Sequence, residues 1–97
     1  MKIAGRSRLH DFCVKHPDAR TWIEHWLSEV EAARWTSPHS VRARFPSASF
    51  LADNIVIFNV KGNHYRLEVR VAYRTSLVIV VWIGTHAAYD QRNGRRQ

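Results

Sequence analysis

The chain has one cysteine, almost no lysine and no long apolar segment. Cys13 alone cannot form an internal disulfide, which agrees with a reducing compartment, and we expect it to pack as a small buried residue. The longest apolar run, Leu77 to Ile83, is far shorter than the roughly 20 residues that span a membrane. The first residues become charged before any apolar leader develops. We therefore expect a cytoplasmic protein without a signal peptide or a membrane segment.

Positive charge is the property that the sequence has in excess. Lysine and arginine number 15 against 8 acidic residues, and the formal net charge is +7. Arginine supplies most of this charge, and its planar guanidinium group suits phosphate. Nucleic acid is therefore the first partner expected, an acidic protein the second and a membrane surface the third; solubility alone is the plain alternative. The 97 residues suit one domain, spanning 1–97.

The first half of the chain is predicted to be mainly helical. A short strand over 1–4 precedes a helix over 8–15, with Ser7 as its N-cap. A longer amphipathic helix follows, because apolar residues recur at i, i+3, i+4 and i+7 spacing. Its apolar stripe consists of Ala19, Trp22, Ile23, Trp26, Leu27, Val30 and Ala33. Ser37 and a proline at the first helical position then open a short helix over 38–44.

The second half of the chain is predicted to form strands. These strands cover 55–61, 65–74 and 77–84. Gly62-Asn63 is a two-residue hairpin signal between the first two strands, and Thr75-Ser76 marks the next turn. The first hairpin puts the apolar side chains of both strands on one face, which a slip of one residue would destroy. The helices are expected to pack on that apolar face.

The opposite face of the sheet is predicted to collect polar groups near the first hairpin turn. Asn59 lies opposite Arg66 in the predicted register, and a tight second turn brings Thr85 opposite Arg66, with His86 just beyond. Other polar residues of this face are Lys61, His64 and Arg70. Three apolar residues are expected to lie exposed on the same open face: Ile57, Ile79 and Val81.

This polar face has the residue types that RNA cleavage without a metal requires. Such a site needs cations for the phosphate, a base for the 2′-hydroxyl and an acid for the leaving oxygen. The cations available are Arg66, Arg70 and Lys61. The candidates for acid and base are His64, His86 and Tyr89, since histidine titrates near neutral pH. The six histidines lack the paired spacing of a zinc site, so no metal or cofactor is expected.

Each of these assignments has a structural alternative. A row of arginines on one strand is typical of a solvated face. His86 could cap a strand end, and Tyr89 could anchor a C-terminal segment to the core. The convergence of polar groups from three strands is the observation that favours a functional site.

Two stretches resemble the motifs of HigB-type toxins of the RelE superfamily. Residues 58–67, FNVKGNHYRL, resemble the signature F-N-x-x-G-N-x-Y-R-L, and residues 84–90, GTHAAYD, resemble the closing motif G-T-H-x-x-Y-D. Upstream, the segments 32–35, 37–38 and 44–47 also resemble the family. The resemblance runs in order from Trp26 to Asp90.

The resemblance implies an α+β, RelE-like fold, with N-terminal helices packed on a small, mostly antiparallel sheet. It implies the toxin of a type II toxin–antitoxin system, an endoribonuclease that cleaves mRNA on the ribosome. With no metal site predicted, the RNA's own 2′-hydroxyl is the expected nucleophile. The implied partner is an antitoxin of the HigA type, which carries a helix-turn-helix domain.

The motifs also imply roles for individual residues. The catalytic residues are expected to be Arg66 at the scissile phosphate, His86 as the acid or a phosphate contact, and Tyr89 as the closing aromatic and the alternative acid. The residues expected to bind RNA are Asn59, Lys61, His64, Arg70 and Arg74. Ala88 departs from the family, where many relatives have glutamate; the exchange makes the site more cationic.

Two other functions stay open from the residues alone. The first is a non-catalytic RNA-binding module that uses the same basic face. The second is a protein-binding module whose basic face meets an acidic partner.

Overall fold

A mostly antiparallel sheet is the centre of the fold. The computed structural model describes residues 1–95. The strands are β1 (Lys2–Ala4), β2 (Ser49–Leu51), β3 (Ile55–Val60), β4 (Tyr65–Ala72) and β5 (Leu77–Thr85). The helices are α1 (Arg6–Lys15), α2 (Arg20–Ala32), α3 (Pro38–Arg44) and α4 (His86–Arg95). The sheet order is β1-β5-β4-β3-β2, and β1 pairs in parallel with β5 whereas the other pairs are antiparallel. The predicted α+β class is confirmed.

Helices α1 and α2 contribute the core on one face of the sheet. Helix α2 buries Ile23, Trp26 and Val30 almost completely, and Trp26 meets Phe58 of β3 edge to face, with 5.6 Å between ring centroids. The predicted apolar stripe is confirmed, and its fully buried tryptophan serves packing. A short 3-10 turn, Pro17–Ala19, leads into the helix. Among residues 1–95, no helix has the combined length and hydrophobicity needed to cross a membrane.

Helix α1 begins two residues earlier than predicted. Gly5 takes a φ of 89°, and a Cβ there would lie 3.0 Å from the carbonyl oxygen of Val80. The chain therefore turns at Gly5, where a left-handed backbone and a close approach both favour glycine. The predicted N-cap, Ser7, lies inside the helix instead.

The hairpin of β3 and β4 has the predicted register but a longer loop. Asn59 pairs with Arg66 as expected, and the apolar partners share the buried face. Strand pairing stops at Val60 and Tyr65, so the connection spans 61–64; the predicted Gly62-Asn63 lies at its centre, and the N–H of His64 donates to the carbonyl oxygen of Lys61 at 3.4 Å. Lys61 and Gly62 take left-handed φ values of 51° and 69°, so β3 ends one residue earlier than predicted.

The register of β4 and β5 differs from the prediction by one residue. Gly84, rather than Thr85, lies opposite Arg66. The loop over 73–76 is two residues longer than the predicted tight turn, which shifts the pairing by two positions. A β-bulge in β5, opposite the middle of β4, adds one residue to β5 and so reverses one of these two positions; the net shift at Arg66 is one residue.

Between α2 and β3 the structure confirms one element and adds another. Pro38 is the first residue of α3 and Ser37 is its N-cap, as predicted, although the Ser37 side chain makes no capping hydrogen bond. Strand β2 was not predicted, because its three residues are too few to show an alternating pattern. It pairs with β3 and forms one edge of the sheet.

Helix α4 is the main element that the sequence pattern did not indicate. It packs on the polar face of the sheet through contacts with β4 and β5. The Tyr89 ring lies 6.0 Å from the Trp82 ring, and the Arg92 guanidinium lies 5.5 Å from the same indole. The polar face is therefore not an open surface.

The prediction that three apolar residues lie exposed on this face is wrong. Ile57 is only 3% exposed, and Ile79 and Val81 are half-buried. Strand β2 extends the sheet beside Ile57, and α4 lies over β4 and β5. Little apolar surface of this face is therefore exposed to solvent. Val81 is the bulge residue, since β4 residues pair with its neighbours on either side.

Candidate active site

The loop of the first hairpin meets the start of α4 at one end of the sheet. The backbone N–H of His86 donates to the carbonyl oxygen of His64 at 3.2 Å, and Thr85 pairs with Tyr65 at the end of the β4–β5 ladder. The hydroxyl of Thr85 accepts a hydrogen bond from the N–H of Ala88 at 3.1 Å, which caps the first turn of α4. These contacts hold His64 and His86 next to each other.

Arg66 lies on β4, two residues beyond His64, and is half-buried. Its guanidinium donates to the carbonyl oxygen of Tyr65 at 3.3 Å and to Oδ1 of Asn63 at 3.5 Å. Both acceptors are neutral, and within residues 1–95 no carboxylate forms a salt bridge with Arg66. The arginine is therefore oriented while its charge stays available for a phosphate.

His86 is exposed at the first position of α4. Its Nδ1 lies 3.5 Å from Oδ2 of Asp90, one turn along the helix. A carboxylate beside Nδ1 orients the ring and leaves Nε2 as the atom that can meet a substrate. Within 1–95, no group of three or more histidine, cysteine or acidic side chains is arranged to hold a metal ion.

Tyr89 lies near His86 on the same helix, but its ring packs against Trp82. This contact agrees with the structural alternative in which Tyr89 anchors the C-terminal segment. Because it is only half-buried, Tyr89 is both an anchor and a neighbour of the cluster formed by His64, Arg66 and His86.

Two residues expected to bind RNA have partners within the fold. Nζ of Lys61 lies 3.3 Å from Oδ2 of Asp18, and Nδ2 of Asn59 donates to the carbonyl oxygen of Ser47 at 3.2 Å. The hydroxyl of Tyr65 also donates to Asp18 at 2.7 Å. That hydrogen bond lowers the pKa of Asp18, to which Lys61 also contributes, and the same bond to Asp18, together with burial, raises the pKa of Tyr65. The link between the 3-10 turn and the hairpin is thus present at neutral pH and is lost as pH falls through the lowered pKa of Asp18.

Arg70 and Arg74 are exposed but do not join the histidine cluster. A strand advances about 3.3 Å per residue, so Arg70 lies roughly 13 Å from Arg66 along β4. Arg74 lies farther still, in the loop that follows β4. Both arginines extend positive charge away from the cluster and can contact only more distant phosphates.

A buried ion pair that attaches α4 to the sheet was missed. Glu68 on β4 is 1% exposed, and its carboxylate oxygens lie 3.4 and 3.5 Å from Nε and Nη2 of Arg92. Strand alternation correctly put Glu68 on the polar face, but its partner could not be recognised because α4 was not predicted. The sequence feature that could have indicated α4 is Thr85, a suitable N-cap residue, followed by a segment compatible with a helix.

We expect Arg92→Ala to release α4 while the rest of the fold persists. The change removes the arginine from a buried carboxylate, at a cost of about 1–3 kcal/mol. Hydrogen exchange should therefore accelerate in α4 and not in α2, and His86 should no longer be held in place. Arg42→Ala, at an exposed arginine stacked on Phe50, is the matched control. Unchanged exchange in α4 would contradict this role.

The sheet order, helices α1 and α2 on one face and the arginine–histidine cluster together define a RelE-like α+β domain. The family model of HigB toxins, described as the RelE-like toxic component of a toxin–antitoxin system, matches residues 19–92. This chain belongs to the HigB toxin family. The resemblance inferred from the sequence motifs is thereby confirmed.

Curated relatives agree with this membership. The "mRNA interferase toxin HigB" of Escherichia coli (strain K12) is 26% identical over 92 residues, which cover 93% of this chain and 88% of the relative. Proteins named "mRNA interferase HigB" from Escherichia coli O157:H7 and Shigella flexneri match with the same identity and coverage.

Proposed function

We propose that this chain is an mRNA interferase, an endoribonuclease that cuts mRNA on the ribosome in the cytoplasm. The observation that carries the proposal is the cluster of His64, Arg66 and His86, in which an arginine without a carboxylate partner lies beside two exposed histidines. The names of the relatives support mRNA as the substrate. A non-catalytic RNA-binding module is the alternative.

In the proposed reaction the RNA supplies its own nucleophile. The 2′-hydroxyl gives its proton to His64, the remaining acid–base candidate, and attacks the adjacent phosphorus; the bond from phosphorus to the 5′-oxygen breaks, and a 2′,3′-cyclic phosphate forms. Arg66 stabilises the negative charge that grows on the phosphorane. His86 donates the proton to the leaving 5′-oxygen, with Tyr89 as the alternative donor. His64 contacts the phosphate, and Arg70 and Arg74 contact neighbouring phosphates.

The chemistry of the product ends tests this reaction. Programmed ribosomes should yield RNA with a 5′-hydroxyl on one fragment and a 2′,3′-cyclic phosphate or 3′-phosphate on the other. Cleavage should persist when an inert trivalent cobalt complex replaces magnesium, since no step uses a metal. Fragments with 5′-phosphate and 3′-hydroxyl ends would contradict the reaction and the roles given to Arg66 and His86.

We also propose that a HigA-type helix-turn-helix antitoxin inhibits the chain by covering the part of the polar face that α4 leaves open. A groove of about 410 Å³ lies on this face, lined by Leu51, Ala52, Asp53, Ile55, Glu68, Arg70 and Val81. Leu51 is 41% exposed, which is unusual for a large apolar residue of this fold. Arg70 is exposed beside it, so the groove suits a partner segment with both apolar and acidic residues.

We expect Arg70→Glu to weaken antitoxin binding, because like charges then meet across the interface. Titration calorimetry with the purified antitoxin should show a higher Kd for this variant. Arg34→Glu, at an exposed arginine outside the groove, should bind like the unmodified chain. A complex in which the antitoxin contacts only the outer surface of α2 would contradict the assignment.

A further inference from the structure

Trp82 lies on the polar face beside the site, yet the proposed chemistry gives it no role. Gly84 pairs directly with Arg66, and a Cβ on Gly84 would come within 2.6 Å of the Trp82 ring. The indole therefore lies over the backbone of position 84, in the space that any side chain there would occupy. This arrangement puts the ring over the residue that pairs with Arg66.

A groove between α1 and β5 begins at the same indole. It has a volume of about 250 Å³ and is lined by Arg8, Asp11, Phe12, Lys15, Trp82 and Ile83. Arg8 and Lys15 are exposed, and they outnumber the one acidic lining residue, Asp11. The groove therefore combines an aromatic ring with a net positive lining, as in sites that bind single-stranded nucleic acid.

Contacts from α4 hold the indole in position. The Tyr89 ring is tilted by 47° against it, and the Arg92 guanidinium lies over it while bonded to Glu68. Trp82 remains half-buried rather than enclosed, and its accessible part lines the groove beside α1. An aromatic ring that is already fixed loses little conformational freedom when a ligand stacks on it.

We propose that Trp82 is a stacking platform for the base of a nucleotide next to the scissile phosphate, and that Arg8 and Lys15 contact the phosphates that follow. The inference rests on the proposed function, because Arg66 is taken to hold the scissile phosphate. The ligand is single-stranded RNA, and every base is accepted because each has a π-face. The groove gives the RNA a path from the cluster along α1.

The test measures binding of a short RNA whose cleavage site lacks the 2′-hydroxyl, so that binding is separated from cleavage. Fluorescence anisotropy should give a Kd about tenfold higher for Trp82→Ala, whereas Trp82→Phe, which keeps a ring, should lose much less. Trp22→Phe, at the other half-buried tryptophan, is the matched control and should bind normally.

Abasic RNA then identifies the stacked base without altering the protein. An abasic nucleotide at one position should weaken binding to the unmodified chain but not to Trp82→Ala. Equal losses in both proteins at every position, or failure of the unmodified chain to bind, would overturn the proposal. Cleavage of the all-ribose RNA on ribosomes is assayed separately. Retained cleavage without base-dependent stacking refutes only the role of Trp82, and stacking without cleavage refutes only the proposed reaction.

Discussion

Replacing Arg66 or His86 with alanine should lower the rate of mRNA cleavage by about a hundredfold or more. A preorganised group that stabilises developing charge is worth roughly 10²–10³ in rate, and a general acid is worth roughly 10²–10⁴. Neither side chain belongs to the buried core, so both variants should keep the fold. Single-turnover cleavage on programmed ribosomes, with thermal unfolding measured alongside, checks both expectations.

Matched variants separate the loss of a catalytic group from a general loss of charge. Arg34→Ala and His39→Ala change exposed residues of the same types outside the cluster, and both should cleave normally. His86→Ala should still bind the ribosome, whereas a non-catalytic module would show no cleavage even in the unmodified chain. Cleavage at the normal rate by His86→Ala would exclude the histidine as the acid and leave Tyr89 as the candidate.

Expression of the chain without an antitoxin should stop bacterial growth by blocking translation. An enzyme that cuts mRNA turns over, so a few molecules can inactivate many transcripts, and colony counts should fall by orders of magnitude. Pulse labelling of new protein should show the block before growth ceases. Co-expression of the cognate antitoxin should restore both growth and labelling.

Arg66→Ala, expressed to the same level, is the control for this experiment. It keeps the fold and most of the positive charge, so it should allow growth if toxicity depends on cleavage. Normal growth with abundant, folded and soluble unmodified protein would count directly against a toxin.

The two hairpins show how far the fold could be predicted. In β4 apolar and polar residues alternate without interruption, so only one register sets its apolar face beside Val56, Phe58 and Val60 of β3, and this register pairs Asn59 with Arg66. Strand β5 is apolar on both faces, which removes that constraint. Its register depends on a four-residue loop and a bulge, and neither produces a periodic pattern in the sequence. Gly84 therefore pairs with Arg66 in place of the predicted Thr85.

The residues of the candidate site that lie in local motifs could be predicted, but the contacts between residues distant in sequence could not. The motifs pointed to Arg66 and His86, and the structure brings the segments that carry them together. Helix α4 is mostly polar, and its position depends on Glu68 and Trp82, which are remote in sequence. No local pattern links those residues to Arg92, so the burial of the polar face could not be foreseen.

The most direct test of the central claim is a map of transcript 5′ ends in bacteria after brief induction of the chain. The account predicts new 5′-hydroxyl ends inside translated coding regions, absent when Arg66→Ala is induced to the same level. Intact transcripts under conditions in which the unmodified chain is present and folded would contradict it.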